Sequence, residues 1–366
     1  MAFGKVGDMF GAFAAVRDAS AREDGFHLGL AAGWLLEAQK ASGGTGYAHS
    51  YHLLRGWSKP YPETTGYVIP SMLGASEALR EPAYAQSAGA AGEWLLKIQQ
   101  QDGSFTDLDG KKQVFDTGQI IYGLLEIAGR RKDGGYAAAA VRAGEWLASV
   151  QEADGSWARH AYNSMPHSYY SRVGAILVKL GKATGRKDLA EAGMKNLEWV
   201  ISQQGGDGYF ERMYFHPGAP PYLHTIVYVL EGLFLGWEAA GNKEFLDAVL
   251  RTAGRLKTME KESGSVLFSQ YGPGWKIANR ERCIAGLAQW AGLALDISRA
   301  TGDKEYLECA ERAIGYLKAK QIKGGSPNIR GALPSSIPIW GRYGRFCLFN
   351  WNSKFFMDAL LKHMAP

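Results

Sequence analysis

Apolar residues recur at helical spacing along nearly the whole chain, in two alternating styles. One style is amphipathic. Segments such as GEWLLKIQ and GEWLASVQ carry charges (Glu93, Lys97, Glu145) beside an apolar stripe and break at Asp-Gly, a turn signal. The other style is apolar on more than one face: TGYVIPSMLGASEAL, DTGQIIYGLLEIAG, YYSRVGAILVKLGKATG, HTIVYVLEGLFLGWEAAG, CIAGLAQWAGLALDISRATG and WNSKFFMDALLKHM. These read as helices buried on several sides, and several stop at glycine. No strand-rich region competes with them.

The amphipathic segments also repeat. WLLKIQQQDGSF starts at Trp94 and WLASVQEADGSW at Trp146; EWVISQQGGDGYF, around Trp199, matches their skeleton. Looser copies place Trp34, Arg255 and Tyr316 at the aromatic position and Gln39, Glu260 and Gln321 at the glutamine position. Six units of two helices each therefore cover the chain. An open array would need polar end caps and a steadier period. The expectation is an all-α fold, an (α/α)6 barrel or toroid of six helical hairpins. Its buried helices line the centre, and it forms one domain over residues 1–366 with 1–25 as an N-terminal extension.

The phrases built on Gln99, Asp102, Gly103, Ser104 and Phe105, and on Gln151, Asp154, Gly155, Ser156 and Trp157, resemble the QW motif of terpenoid cyclases and protein prenyltransferases. Those families use α-toroids, as do six-hairpin glycosidases, several polysaccharide lyases and some sugar epimerases. The resemblance implies a structural job for the motif: glutamine on a helix end, aromatic against its neighbour. Function has to be sought elsewhere.

Composition narrows the choice. A hydrophobic fraction of 46% suffices for a large core, and 47 glycines with 13 prolines suit many tight turns. The first 25 residues lack the basic start and apolar run of a signal peptide, and no stretch is apolar enough to span a membrane. Three cysteines without a CxxC suit a reducing cytoplasm. A formal charge of +5 without a basic block argues against nucleic acid and is compatible with an anionic substrate.

In such a toroid the loops entering the inner helices converge on a funnel, so chemistry is expected just before, or in the first turn of, each buried segment. Those places supply candidate catalytic residues Glu63, Asp116, His167, Tyr170 and His224. Candidate substrate contacts are Tyr61, Tyr67, Gln119, Tyr169, Arg172, Tyr214, His216, Arg282, Asn350, Trp351 and Lys354. Rings mixed with cations suit sugars, whose CH faces stack while hydroxyls and carboxylates take hydrogen bonds. Each residue also has a structural reading. Glu63 can favour a helix dipole, Asp116 can be an N-cap, His224 can be a core histidine, and Arg172 and Lys354 can pair with carboxylates. What sets them apart is that repeat-equivalent positions carry different polar residues.

Three functions remain open. The first is a carbohydrate-active enzyme on an oligo- or polysaccharide, expected to be anionic. It would be a hydrolase using Glu63 and Asp116, or a lyase or C5-epimerase using a histidine or tyrosine with Arg172, Lys354 or Asn350 on a uronate carboxylate. YPETTGY resembles the tyrosine-bearing segment of glucuronyl C5-epimerases. The second is isoprenoid chemistry, but DxDD and DDxxD motifs are absent and Glu281-Arg282-Cys283 lacks a histidine partner for zinc. The third is a non-catalytic toroid holding a glycan or protein. The first is preferred, without metal or cofactor, in a cytoplasmic setting.

Overall fold

The computed structural model describes residues 2–15, 20–131 and 134–365. The multiply apolar segments become α3 (Pro62–Leu79), α5 (Val114–Arg130), α7 (Ser171–Thr184), α9 (Leu223–Ala240), α11 (Ile284–Thr301) and α13 (Asn350–Met364). Each packs on the next, and α13 packs on α3, so the six close into an inner ring. The amphipathic segments form the outer layer: α2 (Asp24–Ala41), α4 (Pro82–Ile98), α6 (Gly134–Ser149), α8 (Lys187–Ser202), α10 (Lys243–Ser263) and α12 (Lys304–Lys320). Helix α1 (Ala2–Ala15) stands outside both rings. It is tied to the first and last loops by Asp8, which accepts from Tyr51 and Ser326 at 2.5 Å each.

The expected toroid is present, with one change in how its hairpins are paired. The tight turns lead from inner to outer helix and use a left-handed residue, as at Gly185, Gly241 and Gly302. The opposite connections, which contain the repeated phrase, are long. The sixth hairpin is therefore made from opposite ends of the sequence, α13 packing on α2.

The repeat glutamine explains its own recurrence. From the end of one outer helix its Nε2 donates to a carbonyl of the next. Gln39 reaches Ser87, Gln99 reaches Ala139, Gln151 reaches Ala192 and Gln204 reaches Ala248, all at 2.8–2.9 Å. Gln321 closes the circuit on His27 at 3.1 Å. In the one unit that substitutes Glu260, the carboxylate accepts from Arg312 of α12 at 2.9 Å instead. The glycine of the turn is equally constrained. Gly103 has φ of 90°, and a Cβ there would lie 2.2 Å from the Arg142 carbonyl oxygen.

Seven short strands, invisible to the periodicity, stitch the long loops together. They are β1 (Ser50–His52), β2 (Gly56–Trp57), β3 (Gln270–Tyr271), β4 (Ile277–Asn279), β5 (Arg282–Cys283), β6 (Ser336–Ile337) and β7 (Cys347–Phe349). The order β2-β1-β7 joins the first loop to the last, with Tyr51 opposite Leu348. None of the described helices is long and apolar enough to cross a membrane.

Candidate active site

All six inner helices begin at the same end of the ring. Their N-caps are Tyr61, Gln113, Tyr170, Tyr222, Cys283 and Phe349, and none supplies a side-chain cap. Three outer helices, by contrast, are capped by side chains: α4 by Glu81, α10 by Asn242 and α12 by Asp303. Loop carbonyls take over part of the duty: Val114 N–H donates to His160, Leu223 to Ser269 and Asn350 to His49. The starts of α3, α5, α7, α9 and α13 thus bring partial positive charge to one space.

That space is a cavity of about 320 Å³. Of the residues picked from sequence, it gathers Glu63, Asp116, Tyr170, His224, Tyr61, Tyr67, Tyr169, His216 and Trp351. Glu63 and Asp116 lie in the first turns of α3 and α5. These helices approach closely because Gly66 and Gly123 face each other: a Cβ on Gly66 would sit 2.4 Å from Ile120 Cα, and one on Gly123 would sit 2.3 Å from the Gly66 oxygen. Asp116 is not the N-cap; the helix starts two residues earlier, at Val114. Its carboxylate instead accepts from the Tyr61 hydroxyl at 2.9 Å.

Both acids hold their protons unusually well. Burial pushes Asp116 up to about 7, against the pull of the Tyr61 hydroxyl. Glu63 is raised well above the carboxylate range by burial and then by the Asp116 charge. Around them stand rings: Phe115 packs edge-on to Tyr169 and tilted on Tyr170, and Trp351 stacks on Phe349 with centroids 4.0 Å apart. Burial lowers His49 to about 4 and His224 to about 3, so both imidazoles are neutral near pH 7.

Seven residues picked from sequence lie outside this cavity. Arg172 sits below it, paired with Glu231 at 2.5 Å and bonded to the Gln119 carbonyl at 2.9 Å; the Gln119 amide nitrogen is buried without a partner among the described residues. Lys354 pairs with Asp358 at 2.5 Å. Arg172 and Lys354 line a second cavity of about 190 Å³ beneath the first, where Asp296 and Lys362 form a third pair and Tyr67 borders both spaces. His167 has its ring nitrogens on the Tyr162 and Tyr214 carbonyls at 2.7 and 3.1 Å, bracing the rim loops. Tyr214 enters only through that carbonyl. Arg282 stacks over Phe268, 4.2 Å from the ring centre. Asn350 clips the first unit to the last through Ala48 and Thr64. Cys283, read as a small apolar residue, is buried, with its thiol pushed up to about 12. Among the described residues no cluster of metal-ligating side chains occurs.

The sequence reading missed His49, Asp107, Gln113, Phe115, Tyr162, Phe215 and Tyr228. Tyr228 lies in the second turn of α9, hidden inside an apolar run. His49 arrives through the β1–β7 pairing, beside Trp351 with centroids 4.8 Å apart. Only Gln113, Phe115 and Phe215, the last between the picked Tyr214 and His216, stood close enough to the sampled stretches to be found there.

Comparison with known proteins agrees with this architecture. The model of the squalene-hopene cyclase C-terminal domain matches residues 60–234, just under half of the chain. No curated protein matches the sequence. Among solved structures, an unsaturated glucuronyl hydrolase specific for heparin superposes with a TM-score of 0.75 at 14% identity, covering 93% of this chain and 96% of its own. The unsaturated glucuronyl hydrolase of Bacillus sp. GL1 gives 0.72 at 16% identity, covering 92% and 96%. Cellobiose 2-epimerase from Bacillus thermoamylovorans gives 0.69 at 14%, covering 89% and 95%. The fold is an α/α toroid, shared with these solved structures.

Proposed function

We propose that this protein is a glycoside hydrolase acting on a uronate-bearing oligosaccharide, with Glu63 as general acid and Asp116 as general base. The carrying observation is the pair itself: two buried carboxyls on adjacent helices, both with raised pKa, in an aromatic cavity. Glycoside hydrolysis needs one acid that keeps its proton and one base that has lost it. Here the order is set locally. The Tyr61 hydroxyl supports the charged form of Asp116, and that charge helps Glu63 stay protonated. Bound at the rings, a sugar would present its glycosidic oxygen to Glu63 while Asp116 draws a proton from water.

The competing chemistry, proton abstraction from a sugar carbon, needs a stronger base. Of the three histidines at the cavity, His49 and His224 are weak bases at about 4 and 3 and His216 is exposed at the rim, held by the Asn163 amide; burial opposes ionisation of Tyr61, Tyr67 and Tyr228. A uronate finds no Lys or Arg among the cavity residues. It would rest on hydroxyl donors and on the converging helix N-termini. The fold shared with unsaturated glucuronyl hydrolases supports that substrate class. Three unpaired cysteines support a reducing, cytoplasmic setting.

The test is mass spectrometry of acidic and neutral oligosaccharides in heavy water, with Glu63→Gln and Asp116→Asn in parallel. Cleavage with addition of water, abolished in both variants, is the expected result. Deuterium uptake without cleavage would replace hydrolysis by epimerisation, and an unsaturated product would make the enzyme a lyase. A silent sugar panel alongside turnover of an isoprenyl diphosphate would overturn the carbohydrate reading.

A further inference from the structure

His224 is the only one of the three sequence-picked histidines whose ring is locked from behind by a chain of side chains. Its Nδ1 lies 2.5 Å from the Gln289 carbonyl oxygen. That orientation of Gln289 is forced, because its amide nitrogen faces Glu231 Oε2 at 3.0 Å and a carboxylate can only accept. Glu231 is in turn held by Arg172 at 2.5 Å, and Arg172 by Gln119 at 2.9 Å. A carbonyl oxygen opposite Nδ1 requires the proton to be on Nδ1. The neutral ring then has only a lone pair on Nε2, for which no partner occurs among the described residues, and the ring borders the cavity.

We infer that His224 is a fixed hydrogen-bond acceptor, its Nε2 lone pair offered to the cavity, and that it selects a substrate hydroxyl at that place against a carboxylate or a deoxy carbon. This deepens the saccharide reading and rests on it. The intervening glutamine is what distinguishes the device from an acid–base pair. Were Glu231 in direct contact with Nδ1, its charge would favour an imidazolium, which donates from both nitrogens. Gln289 transmits orientation and keeps that charge one residue away. Burial, and Arg172 on the far side of Glu231, act in the same direction. Gln289, Glu231 and Arg172 are accordingly positioning residues, and the paired charges of the lower cavity serve the upper one.

The test has two arms. In the first, protein labelled with nitrogen-15 histidine is followed by NMR from about pH 5 to about pH 8, the His224 signals being assigned by their loss in His224→Phe. The expected result is a neutral ring protonated on Nδ1 throughout, changing to a mixture of tautomers in Gln289→Leu. A ring that is protonated on Nε2, or that titrates in this range, overturns the inference. In the second arm, binding of a glucuronyl-glucose disaccharide and its monodeoxy derivatives is measured by calorimetry. One deoxy position should weaken binding to the wild type by roughly three- to tenfold, the value of one net hydrogen bond. That same penalty should vanish in His224→Phe. Retention of every penalty in His224→Phe overturns the selection. Failure of any saccharide to bind the wild type would overturn both the saccharide reading and the hydroxyl selection, while the NMR arm judges the tautomer by itself.

Discussion

The Tyr61 hydroxyl donates to Asp116 Oδ2 across 2.9 Å, so the residue that precedes one inner helix supports the charged form of the acid in the first turn of the next, against the effect of burial. Removing that donor is the most direct way to read the site. In Tyr61→Phe the charged form of Asp116 loses support and its pKa rises further from about 7. The acid limb of kcat/KM should move upward by on the order of one pH unit, since a hydrogen bond to a charged group is worth about 1.5–3 kcal/mol at most. A pH–rate profile with an unmoved limb would remove Asp116 from the role of base.

Asp116 should also cost the fold stability at high pH. Its pKa is raised in the folded state, so the native protein binds the proton more tightly than the unfolded chain. Stability linked to this group is fully present below about pH 4, the unfolded value, and is lost as pH rises through about 7. Asp116→Asn should therefore be more stable than wild type at about pH 8, by on the order of 2 kcal/mol, and equal to it near pH 4. Urea denaturation at the two pH values measures the difference.

Gly66→Ala addresses the spacing of the acids. The new methyl has nowhere to go but against the backbone of α5, so α3 and α5 must part. Overpacking of this kind costs about 1–3 kcal/mol, which a large core can absorb. Misplacing Glu63 against Asp116 by about 1 Å should cost roughly a hundredfold in kcat. Thermal melts and kinetics together should show a folded protein with little turnover.

The circuit of glutamines predicts a structural effect far from the cavity. Gln321→Ala removes donations to the His27 and Gly331 carbonyls and the acceptor for His27 Nδ1 at 2.6 Å. Leaving those buried groups unmatched should lower stability by about 2–3 kcal/mol. A shift of the urea midpoint with unchanged kcat is the expected signature.

The ring and its alternation were legible because burial on several sides leaves a different pattern from burial on one, and because the repeated phrase performs the same bond in five of the six units. The place of Glu63 and Asp116 at the cavity was legible for a related reason: each lies in the first turn of a buried helix. Arg172 and Lys354 had the same credentials and point elsewhere. Both are long side chains near a helix start, and the spacing that marks them cannot say that Glu231 and Asp358 wait beneath. Tyr228 was hidden by the reverse problem, since a tyrosine in an apolar helix reads as core until its neighbours are in place. His49 needed the pairing of two loops some three hundred residues apart in sequence, which no local pattern carries.

The seam between α2 and α13 has a consequence for how the molecule comes into being. Trp351 and Tyr343 share the cavity with His49 and Tyr61, so neither half of the sequence encloses it alone. Five turns of the barrel can assemble in order as the chain emerges. The binding chamber cannot exist until the helix that contains Trp351 has come back to the first loop. The walls of the chamber are complete only where the end of the chain meets its beginning.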